Sequence, residues 1–196
     1  WKRDLPLLGA VVKTVFSIEI PHGLGDLDHL FEYDPQILTL IPTLSNHEGT
    51  TAEGVDGGLD VAGSPTVYAG VFKRMRQAGV APSVLIDADV EQVSAARDVG
   101  GERVLLYTGG YARVGPQGDP GELARIEEAS IAAVELGLSV AAGGGLTRRN
   151  LPDLLSIPMI DEVVIGHAIM ARAMFIGFEN AVQEILDLMP RGAEEP

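Results

Sequence analysis

Short runs of consecutive apolar residues recur along this chain, and most are followed by a segment whose apolar positions return every three or four residues. The runs read as strands buried on both faces. They are Val15–Ile20, ended by Pro21; Ile37–Ile41, ended by Pro42; Ser83–Ile86; Arg103–Tyr107; Leu138–Ala142; and Glu162–Ile165. Between them the period lengthens to that of a helix. Asp4 caps the first helix, with Pro6 in its opening turn and Leu7, Leu8, Val11, Val12 and Val15 on one face. A short helix is expected around Leu27–Tyr33. Another spans Thr66–Gln77, with Val67, Val71, Met75 and Ala78 in phase. Asp89 caps a helix reaching Val99. Asp119, Pro120 and Glu122 open one that closes at Gly137. Asn150 with Asp153 is expected to cap a helix between the last two strands, and a final helix to run from Ala168 to Met189.

Strands that alternate with helices imply a parallel sheet with right-handed crossovers. Six strand–helix pairs at roughly 30 residues each fit the chain, and a closed (β/α)8 barrel would need two more. The fold class expected is therefore α/β, a TIM-type barrel lacking its first two units, over a single domain at 1–190 with a flexible tail at 191–196. An open six-stranded doubly wound sheet is the alternative. Residues 43–65 form a polar, glycine-rich stretch too long for a plain connector.

Composition narrows the function. The chain has 196 residues, 46% of them hydrophobic, and no apolar run of membrane-spanning length. It has no cysteine, so disulfides and thiolate metal sites are excluded and the cytosol is the default compartment. It opens on Trp1 without an initiator Met, and no signal peptide is read at its start. With 28 acidic residues against 14 basic ones the formal charge is −14. Such a surface repels nucleic acid and anionic lipid, so a phosphorylated small molecule would need a pocket of locally positive potential.

Candidate chemistry lies where strands end. Gly143-Gly144-Gly145 precedes Leu146-Thr147, and Gly166-His167 follows the next strand. Glycine admits a ligand close to the backbone, and a helix start behind it offers N–H groups to an anion, so the pair reads as a phosphate grip. A tight turn needing positive φ would explain the first cluster alone. Arg148 and Arg149 read as solvated residues at a helix start. Glu19, between Ile18 and Ile20 near a strand's C-terminal end, is a candidate general base whose pKa apolar neighbours would raise. Asp87 and Asp89 could pass for a metal pair, but capping accounts for Asp89. His22, His29, His47 and His167 lack metal-ligand spacing, and no metal site is expected.

Several blocks together resemble the pyridoxine 5′-phosphate synthase family. They are Glu48-Gly49-Thr50-Thr51 with Gly57-Gly58-Leu59-Asp60-Val61; Ile86-Asp87-Ala88-Asp89 with Glu91-Gln92; Tyr107-Thr108-Gly109-Gly110-Tyr111-Ala112; Glu122-Leu123-Ala124-Arg125-Ile126; Ala142 to Thr147 with Asn150; and Ile165-Gly166-His167-Ala168-Ile169. The resemblance implies a barrel enzyme that condenses 1-deoxy-D-xylulose 5-phosphate with 3-amino-2-oxopropyl phosphate without metal or organic cofactor, in a homo-oligomer, an octamer in the family. It implies that Glu19 is the catalytic glutamate, that Thr50 contacts the sugar phosphate, and that Gly145, Gly166 and His167 hold phosphate. The sequence also departs from the family. Gly144 stands where the family has histidine, Leu105 where it has a second glutamate, and its first two strands, with their Asn, Asp-His, Arg and His-x-Arg groups, have no counterpart here. A catalytically impaired phosphate-ester-binding homologue is the alternative that these departures raise.

Overall fold

In a computed structural model of the protein, residues 17–21, 27–42, 57–114 and 117–190 are described. The expected first helix, Thr50 and residues 191–196 lie outside them. Six strands form one sheet: β1 (Ser17–Pro21), β2 (Ile37–Ile41), β3 (Ala81–Asp87), β4 (Arg103–Tyr107), β5 (Ser139–Gly143) and β6 (Glu162–Val164). Every pairing is parallel and the spatial order is the chain order. A doubly wound sheet reverses its strand order at a switch point. The order here never reverses, which removes that alternative and leaves a sheet curled into a half-barrel.

Side-chain alternation along the strands separates two faces. Ile20, Leu38, Leu40, Val84, Ile86, Val104, Leu106, Val140 and Ala142 belong to the main core. Against them pack α2 (Pro65–Gln77) through Tyr68, Phe72 and Met75, α3 (Val90–Asp98) through Val93 and Ala96, and α5 (Pro120–Glu135) through Ile126, Ala129 and Ala133. The opposite, concave face has a smaller apolar cluster of Leu85, Leu105 and Ala141, flanked by Ile41, Tyr107 and Val164.

The remaining helices are α1 (Asp28–Phe31), α4 (Gly109–Arg113), α6 (Leu151–Leu154), α7 (His167–Ile176) and α8 (Phe178–Leu186). Asp89 caps α3 by accepting from Glu91 N at 2.7 Å, and Asp119 caps α5 by accepting from Gly121 N and Glu122 N. Gly137, at φ 74°, supplies the left-handed residue after α5.

Two sequence expectations are corrected and one element is added. The final helix is two helices, because Gly177 at φ 84° and ψ 155° breaks it between α7 and α8. The short helix α4, between the fourth strand and its crossover helix, was not legible in the sequence. Asn150 precedes α6 but makes no capping hydrogen bond; its side chain is used elsewhere.

The described end of the long polar stretch is docked onto the barrel. Leu59 N donates to Leu85 O at 2.8 Å, and Gly58 N to Asp87 Oδ1 at 2.9 Å. Gln92 Oε1 accepts from Val61 N at 2.8 Å, while its amide donates to Asp60. Two of the blocks that carry the family resemblance thus hold each other. A Cβ at Gly58 would lie 2.1 Å from Asp87 N, and both are backbone-bound, so neither can yield cheaply. Gly58→Ala is expected to lower stability to urea by about 1–3 kcal/mol or more. An unchanged unfolding midpoint would show that this segment is not packed as described.

Candidate functional site

All six strands run in one direction, so their C-terminal ends share one rim. At that rim opens a cleft of about 330 Å³ lined by Glu19, Ile41, Leu85, Leu105, Tyr107, Gly143, Gly144, Gly145, Val164 and His167. Three of the residues singled out in the sequence, Glu19, Gly145 and His167, therefore share one cavity. Gly166 adjoins it as the residue before α7.

The glycine turn is built by its neighbours. Thr108 N donates to Gly143 O at 2.8 Å, and Thr108 Oγ1 donates to Gly144 O at 2.6 Å. From the other side, Asn150 Oδ1 accepts from Thr147 N at 2.7 Å and Asn150 Nδ2 reaches Gly145 O at 3.3 Å. Buried Tyr111 places its hydroxyl 2.5 Å from Asn150 O and 3.0 Å from Gln117 O. Thr108, Tyr111 and Asn150 thus position the turn, a role that sequence reasoning did not assign. Thr108 and Tyr111 flank Gly109-Gly110, and Asn150 follows Gly145 by five residues; that closeness to glycine clusters was the available signal.

The glycines have different causes. Gly145 sits at φ +70° and a Cβ there would lie 2.7 Å from Ala112 Cβ, so the turn itself demands glycine. Gly166 has negative φ, and a Cβ there would meet nothing within 4 Å. The fold does not require glycine at 166. It does leave the start of the ten-residue helix α7 without a side-chain cap, open to an anion on its N–H groups.

Gly144 has φ +115°, and a Cβ there would lie 2.8 Å from Tyr107 Cε2. The space beside this backbone is therefore filled from β4 by the Tyr107 ring. Leu105, on the same strand, is buried in the concave apolar cluster.

Glu19 is exposed along the β1 edge, yet burial of its inner side pushes the carboxyl above the usual range. The Arg103 guanidinium opposes that shift, and Glu162 adds to it. Arg103, at the head of β4, is 4% exposed. Its Nη1 donates to Thr39 Oγ1 at 3.3 Å, and Nη2 lies 2.8 Å from Glu162 Oε1. That second contact is ionic and poorly directed, since Nη2 has no well-aligned acceptor among the described residues. Sequence reasoning passed over Arg103 and Glu162 because a charge heading an apolar strand resembles a solvated end. Their period-two phase with Leu105 and Val164 was the signal for an inward direction.

Among the described residues no group of three or more His, Cys, Asp or Glu is placed to hold a metal ion, and no helix is long and apolar enough to cross a membrane.

The architecture is that of a barrel-type α/β protein with a mixed apolar and acidic cleft at the C-terminal rim of its sheet. The chain belongs to the family described as pyridoxal phosphate biosynthesis protein PdxJ, whose model matches residues 1–191. A pyridoxine 5′-phosphate synthase of Parasynechococcus marenigrum is 36% identical over 194 residues, which cover 99% of this chain and 76% of that one. One from Magnetococcus marinus is 36% identical over 195 residues, 99% of this chain and 78% of the relative. A solved structure, the BexX/CysO complex of Amycolatopsis orientalis, aligns at a TM-score of 0.43 and 17% identity over 82% of this chain and 61% of that one, too distant to add to the assignment.

A carboxyl whose pKa is raised by folding favours the native state at low pH and costs stability once the pH exceeds its folded value. Glu19→Gln is therefore expected to stabilise the protein at pH 7–8, with the gain fading toward pH 4. Thermal unfolding across that range measures it. An effect that grows as the pH falls would contradict a raised pKa.

Proposed function

We propose that this chain is a pyridoxine 5′-phosphate synthase, joining 1-deoxy-D-xylulose 5-phosphate to 3-amino-2-oxopropyl phosphate and closing the pyridine ring with loss of water and phosphate. Family membership and near-full-length similarity to enzymes of that name support the activity. The observation that carries the site assignment is the convergence of Glu19, Gly145 and His167 on one rim cleft.

In this reading the N–H groups at Gly145, Gly166 and His167 take the phosphate of a substrate. The backbone is already fixed by Thr108 and Asn150, so little reorganisation accompanies binding. Thr50 adds a contact to the sugar phosphate. Glu19 is the general base. Its raised pKa brings it nearer to working pH, which favours transfer of a proton to and from carbon and nitrogen. Leu85, Leu105 and Val164 form an apolar wall that strengthens each electrostatic contact made inside the cleft. No metal or organic cofactor enters this scheme. The single barrel domain works in the cytoplasm as a homo-oligomer. Assembly is supported by the apolar side chains that α7 and the start of α8 leave at the surface, Met174 at 87% and Phe175 at 85% exposure among them.

Incubation with both substrates, followed by mass detection of pyridoxine 5′-phosphate, tests the activity. Glu19→Gln is expected to lower turnover by about 10²–10⁴, and wild-type turnover in that variant would remove Glu19 from the mechanism. Gly166→Glu is expected to leave the melting temperature close to wild type, because its side chain meets open space. It should weaken binding of deoxyxylulose phosphate by roughly tenfold or more, since each 1.4 kcal/mol of repulsion is a factor of ten. Unchanged affinity would refute the cradle.

A further inference from the structure

The concave face holds a polar row that neither packing nor the phosphate grip explains. Glu19 on β1 pairs in register with Thr39 on β2, Thr39 with Ser83 on β3, and Ser83 with Arg103 on β4. All but Glu19 are buried. From β4 the Arg103 guanidinium reaches Thr39 on one side and Glu162 of β6 on the other. Neither β2 nor β6 neighbours β4 in the sheet. The guanidinium therefore lies within the curl, spanning it from strand to strand beneath the cleft.

This cluster is incompletely satisfied. Among the described residues Arg103 Nη2 finds no well-aligned acceptor and buried Ser83 Oγ no hydrogen-bond partner. Guanidinium has five donors, and burying it against one hydroxyl and one off-axis carboxylate is expensive. Apolar residues would fill this position at lower cost if packing were its purpose. Its remaining charge acts on the groups facing it.

We propose that Arg103 is a positioning residue of this site: its buried guanidinium holds the Glu19 carboxylate ready to accept a proton, and Glu162 limits how much of that positive charge Glu19 feels. This rests on the reading of Glu19 as general base. Among the described residues the groups around Glu19 are few. β2 offers Thr39 and Ile41, which carry no charge. β3 ends in Asp87, engaged by Gly58 N–H. β4 gives Arg103 and Tyr107, β6 gives Glu162, and α7 gives His167. Among the described residues Arg103 is the one fixed cation of this group. Glu162 is half-exposed at the β6 side, so changing it perturbs little packing.

The test reads Glu19 directly. The titration of its carboxyl is followed by the infrared difference between each protein and its Glu19→Gln counterpart, alongside the pH profile of kcat/KM. Arg103→Met is expected to raise the proton affinity of Glu19 at least tenfold and move the acid limb of kcat/KM upward by the same amount. Arg103→Lys should restore most of the shift. Glu162→Gln should move both in the opposite direction. If Glu19 titrates as in wild type in both Arg103→Met and Glu162→Gln, the proposal is wrong. Should Arg103→Met fail to fold, Glu162→Gln decides alone, and an unmoved titration there overturns it. If the titrations shift as expected but Glu19→Gln retains turnover, the coupling stands and the general-base reading falls.

Discussion

Everything in this molecule depends on parallel pairing of six strands in chain order, with the crossover helices packed on one face. That constraint does two things at once. It puts every strand's C-terminal end on a common rim, so Gly143, Tyr107 and Val164 meet although they are far apart in sequence. It also leaves the other face of the sheet facing inward, where the alternation of side chains must supply either a core or a site. Here it supplies both: an apolar layer of Leu85, Leu105 and Ala141, and below it the row from Glu19 to Arg103.

The proposed binding half and the proposed acid–base half of the site are built differently. The glycine turn is a main-chain structure that the side chains of Thr108 and Asn150 tie in place. The acid–base half relies on a few side chains in an apolar setting. Gly144, flanked by the Tyr107 ring, and Leu105 stand where the resemblance implies a histidine and a second glutamate. Among the described residues the charges set at this site are those of Glu19, Arg103 and Glu162, and a buried arginine near two carboxylates is a sensitive way to set one of them.

Much of the fold was legible in the sequence because local rules agreed with one another. Apolar runs gave all six strands to within two residues where both ends are described, and Asp89 and Asp119 announced their helices by capping chemistry. The errors fall where a single residue overrides a pattern. Gly177 breaks a helix whose apolar period continues through it. Asn150 looks like a cap, but its side chain is drawn to Thr147 and Gly145. The site was only partly legible. Glycines at strand ends advertise a backbone grip, and Glu19 advertises itself among isoleucines. Arg103 and Glu162 do not, because the burial of Arg103 and its pairing with Glu162 arise from the curl of the sheet, and contacts across that curl join strands that sequence neighbours never reveal.

The central claim is that main-chain amides at the ends of β5 and β6 receive an esterified phosphate. Amide proton–nitrogen spectra of the protein titrated with 1-deoxy-D-xylulose 5-phosphate test it most directly. The account predicts saturable downfield shifts concentrated at Gly145, Gly166 and His167, with Gly79 and Gly137, which precede the N-terminal ends of β3 and β5, unmoved. Saturable shifts confined to other parts of the molecule, with those three amides unchanged, would contradict it.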